Sequence, residues 1–159
     1  MQEGKPMVFD GVGALVRGDL LILVYEADAS LERTIWSFKL GEQFCDRWPK
    51  GILSLLLISA NSRAPDQATR AEMDVAYKRV EGRVRRSVTV PSGGPLQRSV
   101  VRLVMGAHIM LHQKGSVHAV ASSLEDGIRR VWEAASESTP GQAQIALDVQ
   151  ELRAALRAA

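Results

Sequence analysis

The three histidines of the chain fall in one short stretch, and two of them have the spacing of metal ligands. His108 and His112 are one helical turn apart, which allows two imidazoles to share a metal ion, and His118 begins the following strand. No acidic residue lies between His108 and His112 to act as a catalytic base. Both are kept as candidate metal ligands, beside the alternative that they are ordinary side chains near a helix C-terminus. The sequence predicts no catalytic residue and no cofactor.

Two polar loops have the residue types to bind an anion or the carboxylate of a partner. One leaves a buried strand and meets the start of a helix, where backbone amides attract negative charge. The other is a Ser-Gly-Gly turn, which lacks the remaining glycines of a dinucleotide-binding motif and the Lys-Ser/Thr of a P-loop. The candidate interaction residues are Ser59, Asn61, Ser62, Asp66, Ser92, Gly93 and Gly94. The alternative is that Asn61, Ser62 and Asp66 only cap the helix and fill a turn.

A basic segment at residues 78–86 could attract phosphate, but Tyr77 is its one aromatic neighbour for stacking a base. Its arginines follow a helix C-terminus, which favours positive charge, so a solvated edge explains them equally. The net charge of +2 at pH 7 is too small to indicate nucleic-acid binding. The sequence therefore predicts no nucleic-acid partner.

Length and composition indicate one globular domain without a membrane span. The chain has 159 residues, of which 46% are hydrophobic and 24% are charged. Its longest apolar run, Ile52–Ile58, is far shorter than the roughly 20 residues that cross a bilayer. Cys45 is the single cysteine and cannot form an internal disulfide, and the first residues lack the basic and apolar regions of a signal peptide. We therefore expect a cytoplasmic protein with Cys45 in its core.

Hydrophobic runs separated by stretches of helical period predict an α/β fold. The predicted strands are residues 12–16, 20–24, 52–59, 87–91 and 117–121. A short polar joint makes the first two antiparallel, and the run at 52–59 lacks alternation, which places it inside the sheet. Helices are expected to begin after Ser30, Asp66, Pro95 and Ser122. The prediction is a mixed five-stranded sheet with four helices, followed by a C-terminal helix.

Apolar residues at helical spacing define the face of each helix that is expected to be buried. The expected inward residues of the first helix are Leu31, Ile35, Phe38 and Cys45, with Trp36, Leu40, Phe44 and Trp48 widening that face. Those of the second are Ala68, Ala71, Val75, Ala76 and Val80. Trp36, Trp48 and Trp132 occupy apolar helical positions, so they are predicted to lie in the core rather than in a ligand-binding cage.

The C-terminal part of the chain is predicted to be an appendage. Residues 136–144 are polar and predict a linker between a domain at 8–135 and an amphipathic helix at 145–158. One face of this helix carries Ile145, Val149, Leu152 and Leu156. A helix of this length is marginal alone in water. It is therefore expected to dock on an apolar surface of the same chain or of a second copy, and the second case would give a homodimer.

The order of two strands, a helix and three further strand and helix pairs resembles the STAS domain, the anti-sigma-factor-antagonist fold, and its SpoIIAA-like relatives. The resemblance covers residues 8–135 and rests also on Gly18-Asp19-Leu-Leu-Ile-Leu-Val-Tyr25 as the second strand and Ser122-Ser-Leu-Glu-Asp-Gly-Ile-Arg-Arg-Val-Trp132 as the last helix. The STAS motif after the third strand is Asp-Ser-Ser-Gly or Asp-Ser-Thr-Gly, which carries a phosphorylated hydroxyl. This chain has Ser59-Ala-Asn-Ser-Arg-Ala-Pro-Asp66 instead, so a phosphorylation switch at Ser59 or Ser62 is not expected.

The resemblance implies a divergent member with a non-enzymatic regulatory or protein-interaction role, and with another protein, such as a signalling protein, as its partner. Two other functions stay open. The first is a carrier of a small apolar or lipid-like ligand, because SpoIIAA-like folds resemble lipid-transfer domains and the first helix is unusually apolar. The second is a hydrolase-type or metal-dependent enzyme, for which Ser59, Ser62, His108 and His112 are the candidate residues.

Overall fold

A computed structural model describes residues 2–59, 65–93 and 117–159, which form an α/β structure with a mixed sheet, as the hydrophobic pattern predicted. The strands are β1 (Met7–Phe9), β2 (Val12–Arg17), β3 (Leu20–Tyr25), β4 (Ile52–Ile58), β5 (Val84–Pro91) and β6 (His118–Val120). The described helices are α1 (Leu31–Arg47), α2 (Gln67–Val80), α3 (Leu124–Trp132) and α4 (Gln142–Ala158). The helix predicted after Pro95 lies outside the described residues.

The six strands follow one another across the sheet in chain order. β1, β2 and β3 pair antiparallel, whereas β3, β4, β5 and β6 pair parallel. β4 is internal, as predicted, because it lies between β3 and β5. The predicted count of five strands is wrong, since β1 has only 3 residues and gives no periodic signal. Asp10 and Gly11, with φ of 45° and 79°, form the tight turn that joins β1 to β2.

Two apolar clusters cover opposite faces of the sheet. The larger one joins the strands to α3 and α4, and its members include Leu15, Leu55, Ile128 and Ile145. The smaller one joins them to α1 and α2 and includes Phe44, Cys45 and Val80. Cys45 is 2% exposed, and burial raises the pKa of its thiol, as expected for a core cysteine.

Side-chain caps start the helices close to their predicted positions. Ser30 accepts a hydrogen bond from the Arg33 N–H at 3.4 Å at the start of α1, and Asp66 caps α2. The third helix begins one residue later than predicted, because Ser123 and not Ser122 is its cap. Ser123 Oγ accepts from the N–H of Asp126 at 3.1 Å. The local chemistry of Ser and Asp side chains therefore sets these helix starts.

The buried face of α2 differs from the predicted one. Thr69, Ala76 and Val80 are buried, whereas Val75 is 45% exposed, and Ala68 and Ala71 are also exposed. The buried stripe contains a threonine, which a hydrophobic pattern counts as polar. The predicted burial of Ala76 and Val80 is therefore confirmed, whereas that of Ala68, Ala71 and Val75 is wrong.

On α1 the predicted burial of Phe44 and Cys45 is confirmed, but that of Leu31 is wrong, as is that of Trp132 on α3. Two polar residues of α1, Thr34 and Ser37, are buried, while Leu31 at its first position is 40% exposed. Short hydroxyl side chains allow a helix backbone to approach the sheet closely. Trp132 is 44% exposed at the end of α3, so its predicted place in the core is wrong.

The C-terminal helix α4 packs on its own chain. Ile145, Val149 and Leu152 are 0% exposed and belong to the larger apolar cluster. The helix lies so close to β2 that a Cβ at Gly13 would come within 2.8 Å of Leu152 Cδ1. α4 therefore docks in cis, and it completes the core of the domain that precedes it.

Candidate functional site

Two of the predicted interaction residues meet at the carboxyl edge of the parallel strands. The Ser59 N–H donates to the Tyr25 carbonyl at 2.8 Å, and the Ser92 N–H donates to the Ile58 carbonyl at 2.7 Å. Ile58 pairs with Pro91 in the sheet, so the next residues, Ser59 and Ser92, end neighbouring strands. Gly93 follows with a φ of 116°. Ligands of open α/β sheets bind at this edge.

Three of the predicted interaction residues, Asn61, Ser62 and Gly94, lie outside the described residues. Asp66 is described, and it has a capping role. Its Oδ1 accepts the Thr69 N–H at 2.8 Å, and this bond lowers the pKa of the Asp66 carboxyl. The amide that would attract an anion at the start of α2 is therefore already bonded to a carboxylate of the same chain.

At the start of α3, at the same edge of the sheet, a backbone amide is likewise already bonded to a carboxylate of the chain. Asp126 Oδ2 accepts the Ser122 N–H at 3.0 Å, and Oδ1 and Oδ2 each accept from Arg130 Nε at 3.0 Å. These bonds, the one from Ser122 first, hold the pKa of Asp126 well below its usual range. The described helix starts near Ser59 and Ser92 thus carry their own negative charge, which does not favour an anionic ligand.

Of the three histidines, only His118 falls among the described residues. Its ring packs edge-on against Tyr77 at 5.9 Å, and Tyr77 in turn packs edge-on against Phe38 at 5.1 Å. His108 and His112, the candidate metal ligands, lie outside the described residues. Within residues 2–59, 65–93 and 117–159, no three His, Cys, Asp or Glu side chains are grouped closely enough to hold a metal ion.

The two tyrosines of the chain are Tyr25 at the end of β3 and Tyr77 on α2. The hydroxyls of Tyr25 and Ser37 are 2.5 Å apart, and burial raises the pKa of Tyr25 to about 12. Burial likewise raises the pKa of Tyr77 to about 12. A phenol in the unfolded chain loses its proton near pH 10. The folded state therefore keeps both protons over a range of pH in which the unfolded state has lost them.

This difference predicts how stability changes in alkaline solution. Because the unfolded state binds fewer protons above about pH 10, the free energy of unfolding is expected to fall as the pH rises from there towards 12. The phenolate absorbance of the folded protein should appear about two pH units later than in urea. Tyr25→Phe should halve the late signal. A folded protein whose phenolate absorbance is half complete near pH 10 would contradict the burial of the tyrosines.

The basic segment at residues 78–86 faces acidic groups of its own chain. Four of its arginines lie within ion-pair distance of a carboxylate; these pairs are Arg79 with Glu42, Arg83 with Asp46, Arg85 with Asp19 and Arg86 with Glu133. The first two pairs join α2 and the residues after it to α1. Much of the charge of the segment therefore stabilises the fold and is already compensated.

A buried polar network at the amino edge of the parallel strands was missed by the sequence analysis. Asp19 is 2% exposed and bonds to Arg85. Its carboxylate also accepts from Ser136 Oγ and Thr139 Oγ1, each at 2.7 Å. The hydroxyl partners are more than 100 residues away in the chain, so no local sequence pattern predicts these bonds. The network fastens the segment between α3 and α4 to the sheet.

Gly18, beside Asp19, shows how closely that segment approaches. Gly18 has a φ of 55°, and a Cβ built on it would lie 1.7 Å from the Ser138 carbonyl oxygen. Only glycine fits this position, since both the backbone conformation and the space exclude a side chain. The residues predicted as a linker are therefore held in a fixed position here.

A second buried carboxylate holds α4 itself. Asp148 is 0% exposed and accepts two hydrogen bonds from Arg17 on β2, from Nε and Nη2, both at 2.7 Å. Gln144 Nε2 adds a third bond at 2.8 Å. The paired geometry is the strong form of the arginine and carboxylate contact. It orients α4 on the sheet and does not present a reactive group.

The most prominent exposed apolar feature of α2 is a row of three residues, Ala68, Ala71 and Val75, which we call the α2 stripe. Its members are three and four residues apart, so they lie on one face of the helix. Ion pairs at a constant offset of 37 residues join Glu42 to Arg79 and Asp46 to Arg83. In parallel helices, the same offset places the exposed Leu31 of α1 across from Ala68. Sequence reasoning missed this surface because it assigned the stripe to the core.

A scan of the sequence against models of protein families gave no match, and a search of curated proteins gave none. None of the helices in the described part of the chain combines the length and the apolar character needed to cross a bilayer.

Proposed function

We propose that the chain is a cytoplasmic, non-enzymatic regulatory or protein-interaction module with a STAS-like fold. The succession of two antiparallel strands followed by parallel strands that alternate with helices supports the STAS-like part of this proposal. The absence of the Asp-Ser-Ser/Thr-Gly sequence after β4 makes it a member that works by docking rather than by a phosphorylated hydroxyl.

The observation that carries the proposal is the exposed α2 stripe. A helix of this fold normally turns its regular apolar row towards the sheet, yet α2 has one row inside and a second row outside. Scattered single apolar residues on a surface need no explanation, but a row at helical spacing is the pattern that helices use to pack on each other. Leu31, 40% exposed on α1, extends this apolar surface towards the neighbouring helix. A partner protein that covers the stripe would bury it.

The test compares two exposed apolar positions on opposite sides of the sheet. A photoreactive amino acid at Val75 is expected to cross-link a partner protein in cells of the source organism, and one at Leu147 of α4 is not. Leu147 is the matched control because it is 56% exposed, even more than Val75 at 45%. With purified partner, Val75→Asp should weaken binding at least tenfold, or about 1.4 kcal/mol, and Leu147→Asp should leave it unchanged.

The other functions give different outcomes in the same purification. A lipid that copurifies with the full chain and binds equally to Val75→Asp would indicate a carrier. A bound zinc ion that is lost with His108→Ala would indicate a metal site. Either result without a cross-linked partner at Val75 would contradict the proposed function. Circular dichroism of both Asp variants controls for misfolding, since both positions are exposed.

A further inference from the structure

The segment between α3 and α4 has no apolar anchor of its own. We call residues 134–141 the strap, and every one of them is exposed or half-buried. The helices on either side are anchored in the core, since Val131 near the end of α3 and Ile145 near the start of α4 are 0% exposed. A segment that buries few apolar groups opens locally at a lower free energy than the core elements beside it. The strap is therefore held mainly by polar contacts.

A single carboxylate is the centre of those contacts. Both oxygens of Asp19 accept from strap hydroxyls, Oδ2 from Ser136 Oγ and Oδ1 from Thr139 Oγ1, each at 2.7 Å. Arg85, which pairs with Asp19, also donates from Nη1 to the Ala134 carbonyl at 2.9 Å. In the described part of the chain, the hydrogen bonds from the strap to the sheet and its turns thus involve Asp19 or its arginine.

Opening the strap returns charge to water, which offsets part of the cost of the broken bonds. Asp19 is 2% exposed when the strap is closed. The strap lies directly over the turn that carries Asp19, because a Cβ on Gly18 would lie 1.7 Å from the Ser138 carbonyl oxygen. A carboxylate and a guanidinium removed from water carry a desolvation penalty, and an open strap restores hydration to Asp19 and Arg85. Water therefore replaces the strap hydroxyls as the partner of Asp19.

We propose that the strap opens as a unit at Asp19 while α3 and α4 stay docked, and that it thereby controls access to the Asp19 and Arg85 pair. α4 is held by separate contacts, because Arg17 donates twice to Asp148 at 2.7 Å and three apolar residues of the helix are 0% exposed. Gly141 is the N-cap of α4, and a glycine allows the chain to turn there. This inference goes beyond the proposed function and does not depend on the α2 stripe.

The test is proteolysis of the folded, full-length chain with a glutamate-specific protease, with the cleavage sites identified by mass spectrometry. Cleavage after Glu137, which is exposed, reports the population of the open strap. Asp19→Asn removes the charge and Thr139→Val removes one hydroxyl donor at the same size, so each should raise the rate of this cleavage at least tenfold. Ser138→Ala is the matched control. Ser138 contacts the network through its backbone N–H, which donates to Ser136 Oγ at 3.2 Å, so this variant should be cleaved at the wild-type rate.

The dependence on urea separates opening of the strap from unfolding of the whole chain. Cleavage through the open strap should depend little on urea, and both fragments should elute together on gel filtration because α4 stays docked. Cleavage that appears only with the global unfolding transition would overturn the inference, as would a cleaved chain that loses its C-terminal fragment. Equal rates for Asp19→Asn, Thr139→Val and the wild type would show that Asp19 does not hold the strap closed.

Discussion

Removing residues 138–159 is expected to unfold the protein and not merely to release an appendage. The deletion takes away Ile145, Val149 and Leu152, which are 0% exposed. A fully buried Val, Leu or Ile side chain contributes about 1.5–3 kcal/mol, so the three contribute roughly 5–9 kcal/mol. A domain is typically stable by only about 5–15 kcal/mol. The truncated chain should therefore lack a cooperative urea transition and the ordered near-ultraviolet circular dichroism of the full chain.

Two single substitutions on α4 also test whether this helix contributes to the stability of the core. Leu152→Ala should lower the free energy of unfolding by about 2–5 kcal/mol, because it opens a cavity in the core. Leu147→Ala on the same helix should change it by less than about 0.5 kcal/mol, since Leu147 is 56% exposed. Light scattering of the full chain should give the same mass before and after Leu152→Ala. A truncated chain that keeps its transition while a dimer dissociates would show that α4 docks in trans.

The sequence predicts those parts of the fold whose signals are local. β4 is apolar at every position except Ser54, so its place inside the sheet follows from burial on both faces. Ser30 and Asp66 cap α1 and α2 where expected, because a cap depends on residues within one turn. β1 was not predicted, since 3 residues are too few to show alternation.

The sequence does not predict which of two possible stripes of a helix faces inward. On α2, Ala68 and Val75 lie in one apolar row and Ala76 and Val80 lie in another, yet Ala76 is 1% exposed and Val75 is 45% exposed. Which row faces inward depends on how the helix packs on the sheet and on α1, and the spacing of apolar residues along the chain does not encode that packing. The rule that apolar residues at helical spacing are buried therefore assigned the α2 stripe to the core, although it is exposed.

The long-range polar contacts could not be predicted from the sequence, for a different reason. Ser59 and Ser92 could be brought together by argument, because the carboxyl ends of parallel strands meet at one edge. Asp19 and its hydroxyl partners in residues 136–139 have no such rule to relate them. A carboxylate after a turn is ordinarily exposed, so only the packed chain reveals that Asp19 is buried and paired.

Arg17→Met is expected to be among the most damaging single substitutions in the protein. It leaves the carboxylate of Asp148, 0% exposed, without its cation, and among the described side chains only the Gln144 amide still donates to it. An uncompensated buried charge of this kind lowers the free energy of unfolding by about 3–5 kcal/mol. Urea unfolding followed by circular dichroism measures the loss. Arg83→Met is the matched control, because Asp46 is 71% exposed, and that pair should be worth no more than about 1 kcal/mol.

The double variant Arg17→Met/Asp148→Met separates the two causes of the loss. If the single variant is unstable because a charge is stranded, removing that charge should recover most of the stability, since a buried ion pair replaced by apolar residues is often neutral or stabilising. If Arg17 instead acts by packing its side-chain stem against α4, the double variant should be at least as unstable as Arg17→Met. Equal losses for Arg17→Met and Arg83→Met would show that the burial of Asp148 carries no energetic weight. The expected order of stability is therefore wild type and double variant together, Arg83→Met close below them, and Arg17→Met far below all three.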